Sequence, residues 1–239
     1  MMISPIKLSV FFLLIIFSHS LLSQHRLVGT QLEITQNRAK QGDKGAQLLL
    51  GLHYLSIANT GDYKAKGRYW LQKSADQGLK EGQYEYAKEI YRDKKRETDK
   101  IALTYFEKSA KQGHYPAALE AAQMYYFGFG TLRYPNKALD LFRICAEKGN
   151  AKAQYFLAKI YYEGEGTEKN KNIAFKWCSK SSDQGYAPAQ LLLAKMYLNA
   201  DGTIFDGKKA AILTKSAFEK GEEEAQILWD NKELWRYVN

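Results

Sequence analysis

One recurrence constrains the fold more than any other feature of the chain. Glycines followed four residues later by a small residue stand at Gly42/Ala46, Gly78/Gly82, Gly113/Ala117, Gly149/Ala153, Gly185/Ala189 and Gly221/Ala225. Successive glycines are 36, 35, 36, 36 and 36 residues apart. Self-similarity at this period means stacked supersecondary units rather than one globular core. Eight residues after each of the first five small residues comes a large one, at Tyr54, Ile90, Tyr125, Tyr161 and Tyr197. Eight residues before each following glycine stands Trp70, Tyr105, Leu141, Trp177 or Leu213.

Each unit resolves into two helices. The first reads AQLLLGLHY, AALEAAQMY, AQYFLAKIY or AQLLLAKMY, with apolar or small residues spaced as a helical stripe. Gly51, Ala87, Ala122, Ala158 and Ala194 lie in that stripe, where a missing side chain lets a partner helix approach. The second reads ALTYFEKSAKQG, ALDLFRICAEKG or AFKWCSKSSDQG. Cap-favouring residues at Thr98, Asn170 and Asp206 are expected to open it, with Pro135 tolerated in the first turn. The repeat glycine should close it in the left-handed conformation. Thr30-Gln31-Leu32-Glu33 reads as a capping box opening a helix to about Gln41, and a terminal helix is expected from Glu222 to about Trp235. Asp230 and Glu233 would make that last stripe polar, as the end of a repeat array requires. The expected fold is all-α: an α-solenoid of antiparallel helix pairs, about twelve helices in one domain over 30–235. Its full units are 42–77, 78–112, 113–148, 149–184 and 185–220, with half-units at both ends.

The pattern G-x-x-x-A-Q-x-x-L-(G/A)-x-x-Y-x-x-G-x-G-T followed by A-x-x-W/F resembles the Sel1-like repeat, a relative of the tetratricopeptide repeat. It is fullest in AQYFLAKIYYEGEGT followed by AFKWCSKSS; the first two units lack the Gly-x-Gly loop. The resemblance implies a right-handed superhelix whose first helices line a concave face. It also implies the role of an exported adaptor: an envelope scaffold, a periplasmic immunity protein or a host-contact factor. The cysteine pairs of the cysteine-rich Sel1-like proteins are missing, so their link to β-lactam chemistry is not carried over; a cell-wall enzyme stands as the rival class.

Export is expected from the N-terminus. Lys7 precedes an apolar run, LSVFFLLIIF, and small residues follow at Ser18, Ser20 and Ser23, the order of a signal peptide over 1–23. An uncleaved anchor is the alternative, although the run is short for a bilayer span. The expected location is therefore the periplasm or the exterior.

Carried onto the concave face, the exposed positions of the first helices include a lysine row and a tyrosine row. Lys88, Gln123, Lys159 and Lys195 share one offset from the repeat glycine; Tyr84 and Tyr155 share a second, and Tyr91, Tyr126 and Tyr162 a third. Together they would make a peptide groove, the ammonium groups holding carboxylates and the phenols giving rigid contact. The competing reading is packing between units for the tyrosines and solvation for the lysines. With 35 Lys+Arg against 26 Asp+Glu and a net charge of +9, an acidic protein or peptide is the favoured partner. The chain is expected to act as a monomer.

Other chemistry is not indicated. Lys94-Lys95-Arg96 is a loop cluster without aromatic interleaving, so nucleic acid is not expected. Gly128-Phe129-Gly130 and Gly164-Glu165-Gly166 follow helices and recur with the repeat, which makes them turn glycines rather than phosphate loops. His53 and His114 have no ligand-spaced partners, so no metal or cofactor is expected, and no catalytic signature is present. Cys145 and Cys178 lie on successive second helices at the limit of disulfide reach. Buried thiols are the simpler reading, a bond the alternative.

Overall fold

The computed structural model describes residues 26–93 and 95–238. The segment read as a signal peptide, and Lys94 of the basic cluster, lie outside the described residues. Among the described residues there are twelve α-helices, one short 3₁₀ turn and no strand. They fall into two compact units, one ending at Arg92 and the other beginning at Asp93. The first holds α1 (Gly29–Lys40), α2 (Lys44–Ser56), α3 (Gly61–Asp76) and α4 (Lys80–Tyr91). The second holds α5 (Arg96–Lys111), α6 (Tyr115–Phe127), α7 (Pro135–Glu147), α8 (Ala151–Glu163), α9 (Lys171–Asp183), α10 (Ala187–Asn199), α11 (Gly207–Glu219) and α12 (Glu224–Asn231). Within each unit consecutive helices pack on one another, the arrangement of an α-solenoid.

All six repeat glycines are left-handed, with φ between +78° and +96°. Each ends a helix in the same two-bond cap. At Gly149 the amide donates to Ala146 and the next amide, of Asn150, donates to Cys145, at 3.0 and 3.1 Å. This Schellman geometry returns the chain at once into the next helix, which Asp43, His114 and Asn150 open by accepting from the third amide.

The glutamine that follows the small residue of the repeat has a structural role that the stripe pattern does not reveal. Gln47, Gln83 and Gln154 are buried, and each donates to a carbonyl near the end of the preceding helix, at Ala39, Ala75 and Ala146 (3.1–3.3 Å). The side-chain oxygens of Gln47 and Gln154 accept from Gln77 and Gln184, 30 residues on, at 2.7 Å. Ser74 and Ser181 donate over the same interval to Lys44 and Ala151 at 2.7 Å, with the thiol of Cys145 at their position donating to Tyr115. Buried polar atoms thus tie the ends of α3 and α7 to the first helices on both sides, and desolvation makes these bonds costly to lose.

The small residues allow close helix contact, as expected. Ala87, Ala122, Ala158 and Ala194 are fully buried, and a Cβ on Gly51 would stand 2.8 Å from Leu71 of α3. The loop glycines join repeats rather than merely turning the chain. A Cβ on Gly130, Gly166 or Gly202 would strike backbone of the first turn of α5, α7 or α9, at 2.5, 2.6 and 2.2 Å. At Ala200, which replaces the first loop glycine, the left-handed conformation persists at φ +55°.

Three expectations at helix ends are corrected. Helix α1 begins at Gly29 behind an extended Val28, so Thr30 lies inside it and forms no capping box. Thr98 does not cap α5, which starts two residues earlier at Arg96; its hydroxyl donates to the Lys95 carbonyl. Asn170 and Asp206 do cap their helices, accepting from Ile173 and Lys209 at 3.0 and 2.9 Å. The terminal helix stops at Asn231, not near Trp235. Glu233 turns left-handed (φ +49°) and a 3₁₀ turn, Leu234–Tyr237, folds back to bury Leu234 and lay Tyr237 against Gly207.

Cys145 and Cys178 are separate buried thiols, and the disulfide alternative is not realised. Cys178 donates to the Ala189 carbonyl at 3.2 Å. Burial pushes the Cys145 thiol up to about 11 and that of Cys178 higher still.

Candidate functional site

The sequence-predicted residues divide between the two units. In the first, Lys88 lies 3.1 Å from Glu85 and 5.4 Å from the ring centre of Tyr84, while Tyr91 is half-buried. In the second, four of them meet. Tyr155, Lys159 and Tyr162 of α8 and Lys195 of α10 line one cleft of about 280 Å³. Pro188, Leu191 and Leu192 supply its apolar wall, and Glu163, Glu222 and Glu224 its carboxylates. Three successive first helices and their leading residues therefore contribute. A wider hollow of about 630 Å³ in the first unit surrounds the α1–α2 cap at Arg38, Gly42 and Asp43, where a 2.5 Å ion pair joins Arg38 to Asp43. It gathers none of the predicted residues.

Two of the predicted residues of the second unit do not line this cleft. Tyr126 is 3% exposed, its ring against Phe127 and Phe156 at 5.0 and 5.4 Å, so it is packing between repeats. The Gln123 amide donates to Leu119 of its own helix at 3.2 Å. In both units the lysines are not a row of unpaired cations. Lys159 faces Glu163 at 3.8 Å, one helical turn on, and Lys195 reaches across to Glu224 at 2.6 Å. The repeat period places these lysines but is silent about the glutamates, which come from other offsets.

The cleft tyrosines are neutral donors at physiological pH. Burial, helped by Tyr186 and Glu222, pushes the Tyr155 phenol up to about 12. Burial and the hydrogen bond to Asp201 do the same for Tyr162, whose hydroxyl donates to that carboxylate at 2.6 Å. Asp201 also takes the ammonium of Lys171. Burial raises its pKa, but the bonds from Lys171 and Tyr162 outweigh that and hold it below the usual carboxylate range. Tyr162 is thus fixed from behind, and its ring presents a rigid wall. Among the described residues no group of three His, Cys, Asp or Glu is placed to hold a metal ion. No described helix is long and apolar enough to cross a membrane.

The sequence matches the Sel1 repeat family model five times, over 45–79, 80–114, 116–150, 151–186 and 187–222. No curated protein matches it. Among solved structures it is similar to a Sel1 repeat protein from Oxalobacter formigenes, at 27% identity and a TM-score of 0.63 over 84% of this chain. The match covers 58% of that protein, so the chain spans little more than half of its length. It shares its fold with c5321, a protective antigen of uropathogenic Escherichia coli, at 24% identity and a TM-score of 0.51, over 83% of this chain and 50% of that one. With five matched repeats covering most of the described helices, the chain belongs to the Sel1 repeat family.

Proposed function

We propose that this chain is an exported, non-catalytic scaffold that binds a protein partner in the cleft between α8, α10 and the start of α12. One observation carries the reading: three consecutive first helices build a cleft with rigid aromatic walls, an apolar flank and exchangeable ion pairs. Tyrosines give large contact area at low entropic cost, and helical repeats hold them without a conformational change. The order of charge, apolar run and small residues in 1–23 supports the export part of the reading. N-terminal sequencing of the secreted or periplasmic chain tests it: a start after Ser20 or Ser23 is expected, and an intact Met1 overturns it.

Affinity capture by the wild-type chain beside a Lys159→Glu/Lys195→Glu variant tests the cleft. The double reversal breaks both ion pairs and makes the cleft strongly acidic, so a partner bound there must gain or lose occupancy several-fold. Capture that is unchanged, by a variant of unchanged helicity, overturns the assignment of the cleft.

A further inference from the structure

Resting on the reading of the cleft as the protein-binding site, the charge on its walls identifies what kind of side chain it takes. Its two lysines are already answered by Glu163 and Glu224. The third carboxylate, of Glu222, forms no ion pair among the described residues. Glu222 stands one residue after the repeat glycine, at the position from which Asp43, His114 and Asn150 cap their helices. It does not do so: α12 starts later, and the Ala225 amide donates instead to the Glu222 backbone carbonyl at 3.0 Å. Its carboxylate is left in the cleft, close enough to the phenols of Tyr155 and Tyr186 to raise the pKa of both, below burial in order of effect. The rings of Tyr155 and Tyr186 themselves lie 5.5 Å apart, tilted by 58°.

A carboxylate that shares a cleft wall with the ring of Tyr155 suits a cation, by direct charge pairing and by attraction to the ring quadrupole. An ammonium or guanidinium also leaves the two existing ion pairs intact, whereas a carboxylate would have to displace Glu163 or Glu224 from its lysine. The adjoining wall of Pro188, Leu191 and Leu192 is apolar and half or fully buried. We infer that the cleft recognises a partner segment presenting a lysine or arginine next to an aliphatic or aromatic residue. The cation pairs with Glu222 against Tyr155, and the apolar side chain lies on the Leu191–Leu192 wall. This inverts the expectation from net charge: the chain is basic as a whole, yet the charge left unanswered in the cleft is negative.

Random dodecapeptides displayed on phage, panned on the immobilised full chain and on a Glu222→Gln variant, test this. The expected result is severalfold enrichment of Lys or Arg adjacent to Leu, Ile, Phe or Tyr, with synthetic copies of the selected peptides binding about tenfold more weakly to Glu222→Gln. Circular dichroism identical to wild type confirms that the variant is folded. Enrichment of Asp or Glu, lost in Lys159→Glu/Lys195→Glu, overturns the inference while leaving the cleft as the binding site. Basic enrichment that Glu222→Gln does not weaken overturns the assignment to Glu222. No enrichment above an unrelated helical protein overturns the peptide-binding reading itself.

Discussion

Replacing Gly166 by alanine, beside the same change at Gly149, separates the two ways in which glycine serves this fold. Both residues are left-handed, at φ +72° and +88°, so an alanine costs about 1–2 kcal/mol of backbone strain at either site. Around Gly149 a new Cβ meets nothing within 4 Å. At Gly166 it would stand 2.6 Å from the Asn136 amide nitrogen and 2.9 Å from the Pro135 Cβ, both in the first turn of α7. Neither neighbour can swing away: one is backbone and the other a proline ring. Forcing a methyl group into such packing costs about 1–3 kcal/mol more. For a chain of this length each kcal/mol moves the melting temperature by about 2–4 °C, so Gly166→Ala should melt about 2–12 °C below Gly149→Ala. The added loss falls at a junction between neighbouring repeats, so it should also broaden the transition followed by far-ultraviolet circular dichroism. Equal melting temperatures for the two variants would refute the claim that the loop glycines are inter-repeat contacts.

Two further outcomes follow from buried groups. The Asp201 carboxyl is held below its usual range, so the stability it gives is present above the unfolded value and fades as pH falls through the folded one, below about 4. Asp201→Asn should therefore be less stable by about 1–2 kcal/mol at pH 7 and converge with wild type near pH 2–3 in urea titrations, Lys171 being half exposed; a constant gap would refute it. Ellman's reagent at pH 8 should find no reactive thiol in the native protein and two in guanidinium, because burial disfavours both thiolates. Rapid native labelling would contradict that burial.

The helical repeat is legible in the sequence because burial repeats with it. The glycine spacing gives the helix ends, and the small-residue stripe gives the faces in contact, at Gly51 as at Ala158. What the spacing does not carry is register between helices. The Gln154 side chain reads as one more polar residue until the Ala146 carbonyl and the Gln184 amide are seen to meet it. The Lys195–Glu224 pair joins residues from different offsets and breaks the idea of a free lysine row. Tyr126 and Tyr162 share an offset, yet the first is buried by Phe156 while the second lines the cleft. Identical offsets give identical backbone positions; exposure depends on what the neighbouring repeat places opposite. The misread caps at Thr30 and Thr98 have a local cause: helices can begin behind residues whose side chains do not cap, at Val28 and Lys95.

The glutamine and serine ties have a consequence for how the chain reaches its fold. They span 8 or 30 residues, and the longest side-chain bond named above, from Tyr162 to Asp201, spans 39. Order of this kind is assembled from near neighbours along the chain, so loop closure opposes it only weakly and folding that is fast for the chain's length is the expected outcome in stopped-flow refolding. A repeat becomes stable once the next one exists, with no need to wait for the far end. At Ala118 alanine stands in place of the glutamine, and the tie to the end of α5 cannot form. Propagation along the second unit passes that joint with one buried bond fewer, and hydrogen exchange should find the junction of α5 with α6 less protected than that of α7 with α8, where Gln154 makes the tie.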